Sequence, residues 1–254
     1  MEHKFAAQLY TLRNELKKDF YETLRTLSKM GWKAVQIDGL HDYPAVEIAA
    51  VLKETGLSVA GMHVGLDRMT QELDVVLEEA RLFGTTDFFN HYLEGELQNE
   101  AGYRLAKRQL LEISDKVKPL GFRVGYHHHE FEFETEVDGK PALDFVLEPE
   151  GDRFIYPEID TYWVSFANRD PLSYMSKFPN KIPILHLKDM SADESRTFTE
   201  IGNGVIDFEP ILKWGEQSGV EWYCVEQDYC PGSPFDSLEI SFNYLKEMTA
   251  KWNK

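Results

Sequence analysis

Short apolar runs in which polar positions alternate are followed, again and again along this chain, by longer stretches with apolar residues three and four apart. The first pattern predicts a strand and the second an amphipathic helix. FAAQLY (5–10) predicts a strand, and Asp19–Met30 a helix whose Phe20, Leu24 and Leu27 share one face. AVQI (34–37) predicts the next strand, and Pro44–Thr55 a helix with proline in its first turn. LSVAGMH (57–63) and TDFFNHY (86–92) predict strands. Each is followed by a helix, Gln71–Phe83 with Leu73, Val76, Leu77 and Ala80 on one side, then the long Glu100–Val117. In the second half the predicted strands are Phe122–Tyr126, FIYPEID (154–160), IPILHLKD (182–189) and WYCVEQD (222–228). Between and after them come predicted helices at Pro141–Leu147, Pro171–Phe178, Phe208–Ser218 and Pro234–Lys251.

Gly31, Gly56, Gly84, Gly121 and Gly219 each follow a predicted helix and precede a predicted strand, where a left-handed C-cap is wanted. Eight strand–helix units without a break in composition predict an α/β fold, a single (β/α)8 TIM barrel spanning residues 1–254. A doubly wound open sheet is the alternative. The first predicted strand lacks the G-x-G-x-x-G turn which that fold uses for dinucleotides.

Composition narrows the function. The chain is 43% hydrophobic and 13% aromatic, enough for a substantial core, and carries a net charge of −17. Such an acidic surface argues against a nucleic-acid partner. No apolar run approaches the ~20 residues that span a bilayer, so no membrane partner is expected. The first ten residues, MEHKFAAQLY, are too polar for a secretion signal. Cys224 and Cys230 give no disulfide framework. A cytoplasmic enzyme with free thiols is the expectation, and assembly into a homo-oligomer is left open.

In a barrel of this kind the functional face lies at the C-terminal ends of the strands. The predicted strands end there in Gln8, Gln36 with Asp38, His63, His91, His127 with His129, Asp160, His186 with Lys188, and Glu226 with Asp228. His127, Asp160, His186 and Glu226 end strands five to eight, which are neighbours around a barrel. Mixed nitrogen and oxygen ligands suit Mn²⁺, Co²⁺, Zn²⁺ or Fe²⁺ better than Ca²⁺ or Mg²⁺. In the stretch FRVGYHHHEFEFE, strand alternation puts His127 and His129 on one face and His128 on the other. His129 is a candidate for proton transfer, and Glu132, in the loop beyond, is another. Lys188 shares a face with His186 and can stabilise an oxyanion; the plainer alternative is an ion pair with Asp189 or another acid. His63 and Gln8 are candidates for binding substrate hydroxyls, or else polar residues that plug the barrel mouth. Trp163, with Tyr162 and Phe166, offers an apolar wall or core. The glycines of EIGNGVIDF (200–208) would let a phosphate approach, but few basic residues lie near, so a tight turn is the expectation there.

The motifs GYHHHEFEF, EIDTYWV, ILHLKDM, EIGNGVIDF and CVEQD, in this order, resemble the sugar phosphate isomerase/epimerase group of xylose isomerase-like barrels. KMGWKAVQIDGL and LKETGLSVAGMHVG are similar to the front half of the same group, whose members include ketose 3-epimerases, inosose dehydratase and dehydroshikimate dehydratases, with endonuclease IV more distant. The resemblance implies a divalent metal held by a Glu, an Asp, a His and a Glu at the ends of strands five to eight. Asp160, His186 and Glu226 match. The strand-five position holds His127 instead of Glu, so either His127 is the ligand or Glu132 reaches the metal, and Gln36 stands where many members have Glu.

The function expected on these grounds is a metal-dependent isomerase or epimerase, with a dehydratase or lyase as the close alternative. Its substrate would be a sugar, keto-sugar or cyclitol, and the intermediate an enediolate formed by loss of an α-proton. Glu226, His129 or Glu132 would move the proton. The change at position 127 removes one of two carboxylates that epimerases use for this and tilts the expectation toward elimination. A catalytically inactive sugar-binding barrel and an endonuclease IV-like nuclease are the remaining alternatives, the latter opposed by the acidic charge.

Overall fold

The structure, a computed structural model, describes residues 1–253; Lys254 lies outside them. Eight parallel strands close into a barrel in chain order. They are β1 Phe5–Gln8, β2 Ala34–Asp38, β3 Ser58–His63, β4 Asp87–Asn90, β5 Arg123–His127, β6 Tyr156–Asp160, β7 Ile184–Leu187 and β8 Trp222–Val225. The ring is completed by β1 pairing with β8, with Ala6 opposite Cys224. Helices α1 Phe20–Met30, α2 Ala45–Thr55, α3 Leu73–Phe83, α4 Glu100–Val117, α5 Ala142–Leu147, α6 Pro171–Met175, α7 Phe208–Gln217 and α8 Pro234–Ala250 follow the strands in turn. The five interhelical glycines all adopt the left-handed conformation, with φ between 71° and 105°.

Alternation along each strand sorts side chains into two environments. Outward residues such as Phe5, Val35, Phe88, Val124, Ile159, Leu185 and Tyr223 pack under the helices in the main core. Inward residues form a second, smaller cluster inside the barrel: Ala6, Ala34, Ala60, Phe89, Ile184 and Cys224. Two large side chains among small ones fill the tapering interior, as a closed barrel requires. Gly125 belongs to this layer, because a Cβ there would strike the Phe89 ring. On the strand ends above this apolar floor, the inward positions carry Gln8, Gln36, His63, His127, Glu158 and His186, all buried. One irregularity matters for that layer. The β2–β3 register shifts after Val35, so that Gln36 pairs with Gly61 and one residue of β3 is extra. A bulge of this kind resets the period of two and lets Ala60 and His63, three apart, both face inward.

The predicted strands run past the ladders. FAAQLY ends as strand at Gln8 and turns into a 3-10 helix, and WYCVEQD ends at Val225. Polar alternation continues there, but no neighbour remains to pair with. The predicted helix at Gln71–Phe83 is two helices, Leu66–Gln71 and α3, broken at Glu72. Short helices at Phe131–Glu134 and Thr161–Phe166 were not predicted. The second starts where it does because the Asp160 carboxylate caps it, accepting from Tyr162 N–H and Trp163 N–H. Among the described residues no helix is long and apolar enough to cross a membrane.

Gly125→Ala is expected to lower stability by about 1–3 kcal/mol, since the new methyl forces either Phe89 or the strand to move. Urea denaturation of wild type and variant measures this directly; an unchanged midpoint would mean that the interior is looser than its contacts indicate.

Candidate metal centre

The ends of β5 to β8 bring four ligand-bearing side chains together. His127, Asp160, His186 and Glu226 are buried, and one ligand atom from each lies within 4.8 Å of the others. His127 and Glu226 line a cavity of about 760 Å³ at the C-terminal mouth of the barrel, together with His129, Trp163 and Lys188, while Asp160 and His186 lie behind its lining. Register explains the convergence: Asp160 pairs with His186 across β6 and β7, and His186 with Cys224 across β7 and β8. Glu226 follows two residues later on the same face, anchored by its N–H to the Leu187 carbonyl at 3.1 Å.

Lys188 is 1% exposed and reaches none of the partners foreseen at Asp189. Its ammonium instead lies 3.2 Å from Asp160, 3.0 Å from Glu226 and 2.7 Å from Asp228. Burial disfavours the charge, but Asp160, Asp228 and Glu226 outweigh it and hold the lysine well above its usual range. Burial likewise opposes ionisation of Glu226; Lys188 and His186 prevail and keep that carboxylate well below its ordinary value. Asp160 is raised to about 6 by burial, against Lys188 and His186. His129 is pushed well below the imidazole range by burial and by Lys188, which hold its ring neutral.

A divalent ion suits this donor set. Two fully enclosed carboxylates, Asp160 and Glu226, share the ammonium of Lys188, and a third, Glu158, lies against His63, His127 and His186. Asp160 Oδ2 and His127 Nδ1 are buried with no well-formed hydrogen bond, their charged contacts being Lys188 at 3.2 Å and Glu158 at 3.3 Å. His186 Nδ1 stands 2.9 Å from Glu226 Oε2, so a proton or a cation must lie between two lone pairs. Burial opposes the imidazolium, yet Glu158 and Glu226 raise His186 to about 10 when a proton fills that role.

Two expected roles, those of Glu132 and Gln8, are corrected. Glu132 does not reach the cavity or the metal ligands: it is 0% exposed, accepting from Tyr126 O–H at 2.7 Å and from His129 N–H at 2.8 Å. It closes the turn after β5 and fixes the backbone of His129. Gln8 is equally buried and forms no part of the cavity wall; it donates to Gln36 Oε1 at 2.9 Å and so belongs to the polar plug. His63 lines the cavity and also pairs with Glu158 at 2.6 Å. His128, on the other face as expected, accepts the Asp160 N–H through Nε2 at 3.0 Å and so ties the end of β5 to that of β6.

Glu158 was missed by the sequence reading. It lies two residues before Asp160 on the same strand face, so the period of two would have found it. Asp38, His91 and Asp228 also line the cavity. The glycine loop after β7 does not present free N–H groups. Asp189 takes them, accepting from Gly202 at 2.9 Å, Gly204 at 3.0 Å and Ile206 at 3.1 Å. A carboxylate of the chain itself thus occupies the place of an anion.

The family whose model matches residues 24–248 is described as xylose isomerase-like TIM barrel. Among characterised proteins the chain is similar to an inosose dehydratase of Clostridium beijerinckii, 27% identical over 188 residues, 63% of this chain. The match spans 62% of that enzyme's length. A sugar phosphate isomerase/epimerase from Parabacteroides distasonis superposes with a TM-score of 0.80 at 22% identity, covering 96% of this chain and 93% of its own. An IolI protein with a binding zinc atom superposes with a TM-score of 0.69 at 13% identity, covering 98% of each chain. At these identities the structural likeness speaks for the fold.

Burial raises the Glu132 carboxyl from 4.5 to about 7, against hydrogen bonds from His129 and Tyr126. The fold therefore favours its protonated form; that stability is full below the unfolded value and lost as pH rises through the folded one. Glu132→Gln keeps a neutral group at every pH. Between about pH 5 and pH 8 the variant should lose on the order of 3 kcal/mol less than wild type, read from urea midpoints. Parallel pH profiles would show that Glu132 stays ionised.

Proposed function

The chain belongs to the xylose isomerase-like TIM-barrel family, and we propose that it is a divalent-metal-dependent enzyme acting on an unphosphorylated sugar, keto-sugar or cyclitol. The observation that carries this reading is the convergence of His127, Asp160, His186 and Glu226 beneath one cavity. The whole chain, 1–254, acts as one xylose isomerase-like domain. Those four residues hold the ion, and the donor set suits Mn²⁺, Co²⁺, Zn²⁺ or Fe²⁺. When bound, the ion supplies Lewis-acid polarisation of a substrate carbonyl.

The remaining chemistry belongs to the chain. His129, neutral and facing the cavity, accepts the proton from the carbon next to the carbonyl. Lys188, fixed by three carboxylates and fully charged, donates a hydrogen bond to the oxygen on which negative charge develops. Trp163 covers one side of the substrate, and His63 reaches a hydroxyl. Isomerisation, epimerisation and β-elimination share the resulting enediolate. Elimination is the reading we favour: His129 is the one base assigned here and Lys188, held charged, supplies a hydrogen bond, whereas inversion of a centre wants a proton-transfer group on each face. The inosose dehydratase named above fits the same chemistry. A phosphorylated substrate is disfavoured because Asp189 fills the loop that would hold the phosphate.

Protein purified with its metal, incubated with a panel of keto-sugars and inososes in D₂O, should incorporate deuterium next to the carbonyl and release a product lighter by one water. No exchange and no turnover across the panel would sink the proposal; exchange with an isomeric product would replace elimination by isomerisation. His129→Gln should lower kcat by about 10²–10⁴-fold while the metal content stays at the wild-type level. Glu226→Gln should lose the metal itself, which elemental analysis of the purified variant reads.

A further inference from the structure

Beneath the proposed ligands lies Glu158, whose carboxylate oxygen also groups with ring nitrogens of His63, His127 and His186, all within 4.8 Å of one another. Glu158 is 0% exposed, in the layer between the apolar floor and the metal centre. Its Oε2 is 2.6 Å from His63 Nε2, 3.3 Å from His186 Nε2 and 3.3 Å from His127 Nδ1. Its Oε1 accepts from Gln36 Nε2 at 2.6 Å. Gln36 Oε1 in turn accepts from Gln8 Nε2 at 2.9 Å and lies 2.7 Å from His186 Nε2.

We propose that Glu158 is a positioning residue that, through Gln36, fixes which nitrogen of His186 is offered to the metal. A carboxylate can only accept hydrogen bonds, so it draws the amide nitrogen of Gln36 toward itself. The amide oxygen then points at His186 Nε2, which must carry the hydrogen. That leaves the lone pair of Nδ1 directed at the Glu226 side, where the cage lies. The ring is thus held in one tautomer by an anion that does not touch the ion, the arrangement by which outer carboxylates raise the affinity of histidine sites. His127 faces the same oxygen with Nδ1, which leaves its other nitrogen free. With a neutral group at 158 the Gln36 amide can turn over, present its nitrogen to His186 Nε2 and move the hydrogen to Nδ1, against the metal.

The proposal rests on the metal reading above, and the test separates the two. Zn²⁺ and Mn²⁺ affinities are measured by competition with a chromophoric chelator for wild type, Glu158→Gln and the double variant Glu158→Gln/Gln36→Glu. Wild type that binds neither ion sinks the metal reading itself. Given wild-type binding, Glu158→Gln should weaken affinity by about 10–100-fold. The double variant should recover most of the loss, because the new carboxylate sits where Gln36 Oε1 already meets His186. Unchanged affinity in the single variant, or a loss that the second substitution does not restore, overturns the proposal. A wild-type measurement serves where the variants fold poorly: in the Zn²⁺-loaded protein, nitrogen NMR of His186 should show Nδ1 ligated and Nε2 carrying hydrogen. Ligation through Nε2 overturns it as well.

Discussion

Negative charge held out of water at the mouth of the barrel is the constraint on which the rest depends. Burying an isolated carboxylate costs several kcal/mol, and this molecule buries Glu158, Asp160 and Glu226 within one region. Each is tolerated because something positive or hydrogen-donating is fixed beside it. For Glu158 these are three imidazoles and the Gln36 amide; for Asp160 they are Lys188 and the N-terminus of the helix it caps. Glu226 has Lys188 and His186. These partners come from β2, β3, β5 and β7 with the residue just after it, so the closed ring holds them in place together. The fold is therefore committed to this cluster, and the apolar layer of Ala6, Ala34, Ala60, Phe89, Ile184 and Cys224 beneath it keeps water from relieving the cost from below.

Local patterns carried the architecture, because both periods of a barrel are local. Outward and inward residues alternate, helices repeat every three or four positions, and glycines mark the turns between. The same alternation placed His127, Asp160, His186 and Glu226 at one end, which the structure brings together. What the pattern did not carry depends on neighbours distant in sequence. The extra residue in β3, which turns His63 inward, answers to the pairing with β2. Glu132 reads as a loop acid in isolation, and only the position of Tyr126 and the turn at His129 make it a buried brace. The expected ion pair of Lys188 with Asp189 or another acid forms with other acids, Asp160 of β6 and Glu226 and Asp228 after β8, which only the closed ring brings near. Asp189 is engaged by a loop whose N–H groups are assembled only when residues 202–206 fold back on it.

That loop shows how one residue type serves two purposes in adjacent positions. Lys188 and Asp189 have opposite charges and point to opposite sides because they follow one another in an extended segment. Lys188 faces the cavity and supports chemistry there. Asp189 faces the glycine turn and supplies from within the chain the anion that such a turn would otherwise take from a ligand. The cavity keeps the cation, and the glycine turn has its N–H groups taken by Asp189.

The histidine at position 127 gains meaning in the same terms. A carboxylate there would bring another negative charge into a region that already holds Glu158 directly below, with Asp160 and Glu226 alongside. Its cost would fall on the positive charges around the centre, His186 and Lys188. The ammonium would then be drawn wholly into balancing ligands. An imidazole offers a lone pair without charge, so a divalent ion can balance Asp160 and Glu226 while Lys188 keeps Asp228, at the partly exposed edge of the cavity, as its main partner. In that arrangement the lysine's charge remains available to an oxygen of the substrate. An imidazole at position 127 thus adds a ligand without adding charge, and leaves the ammonium of Lys188 as a hydrogen-bond donor at the edge of the cavity.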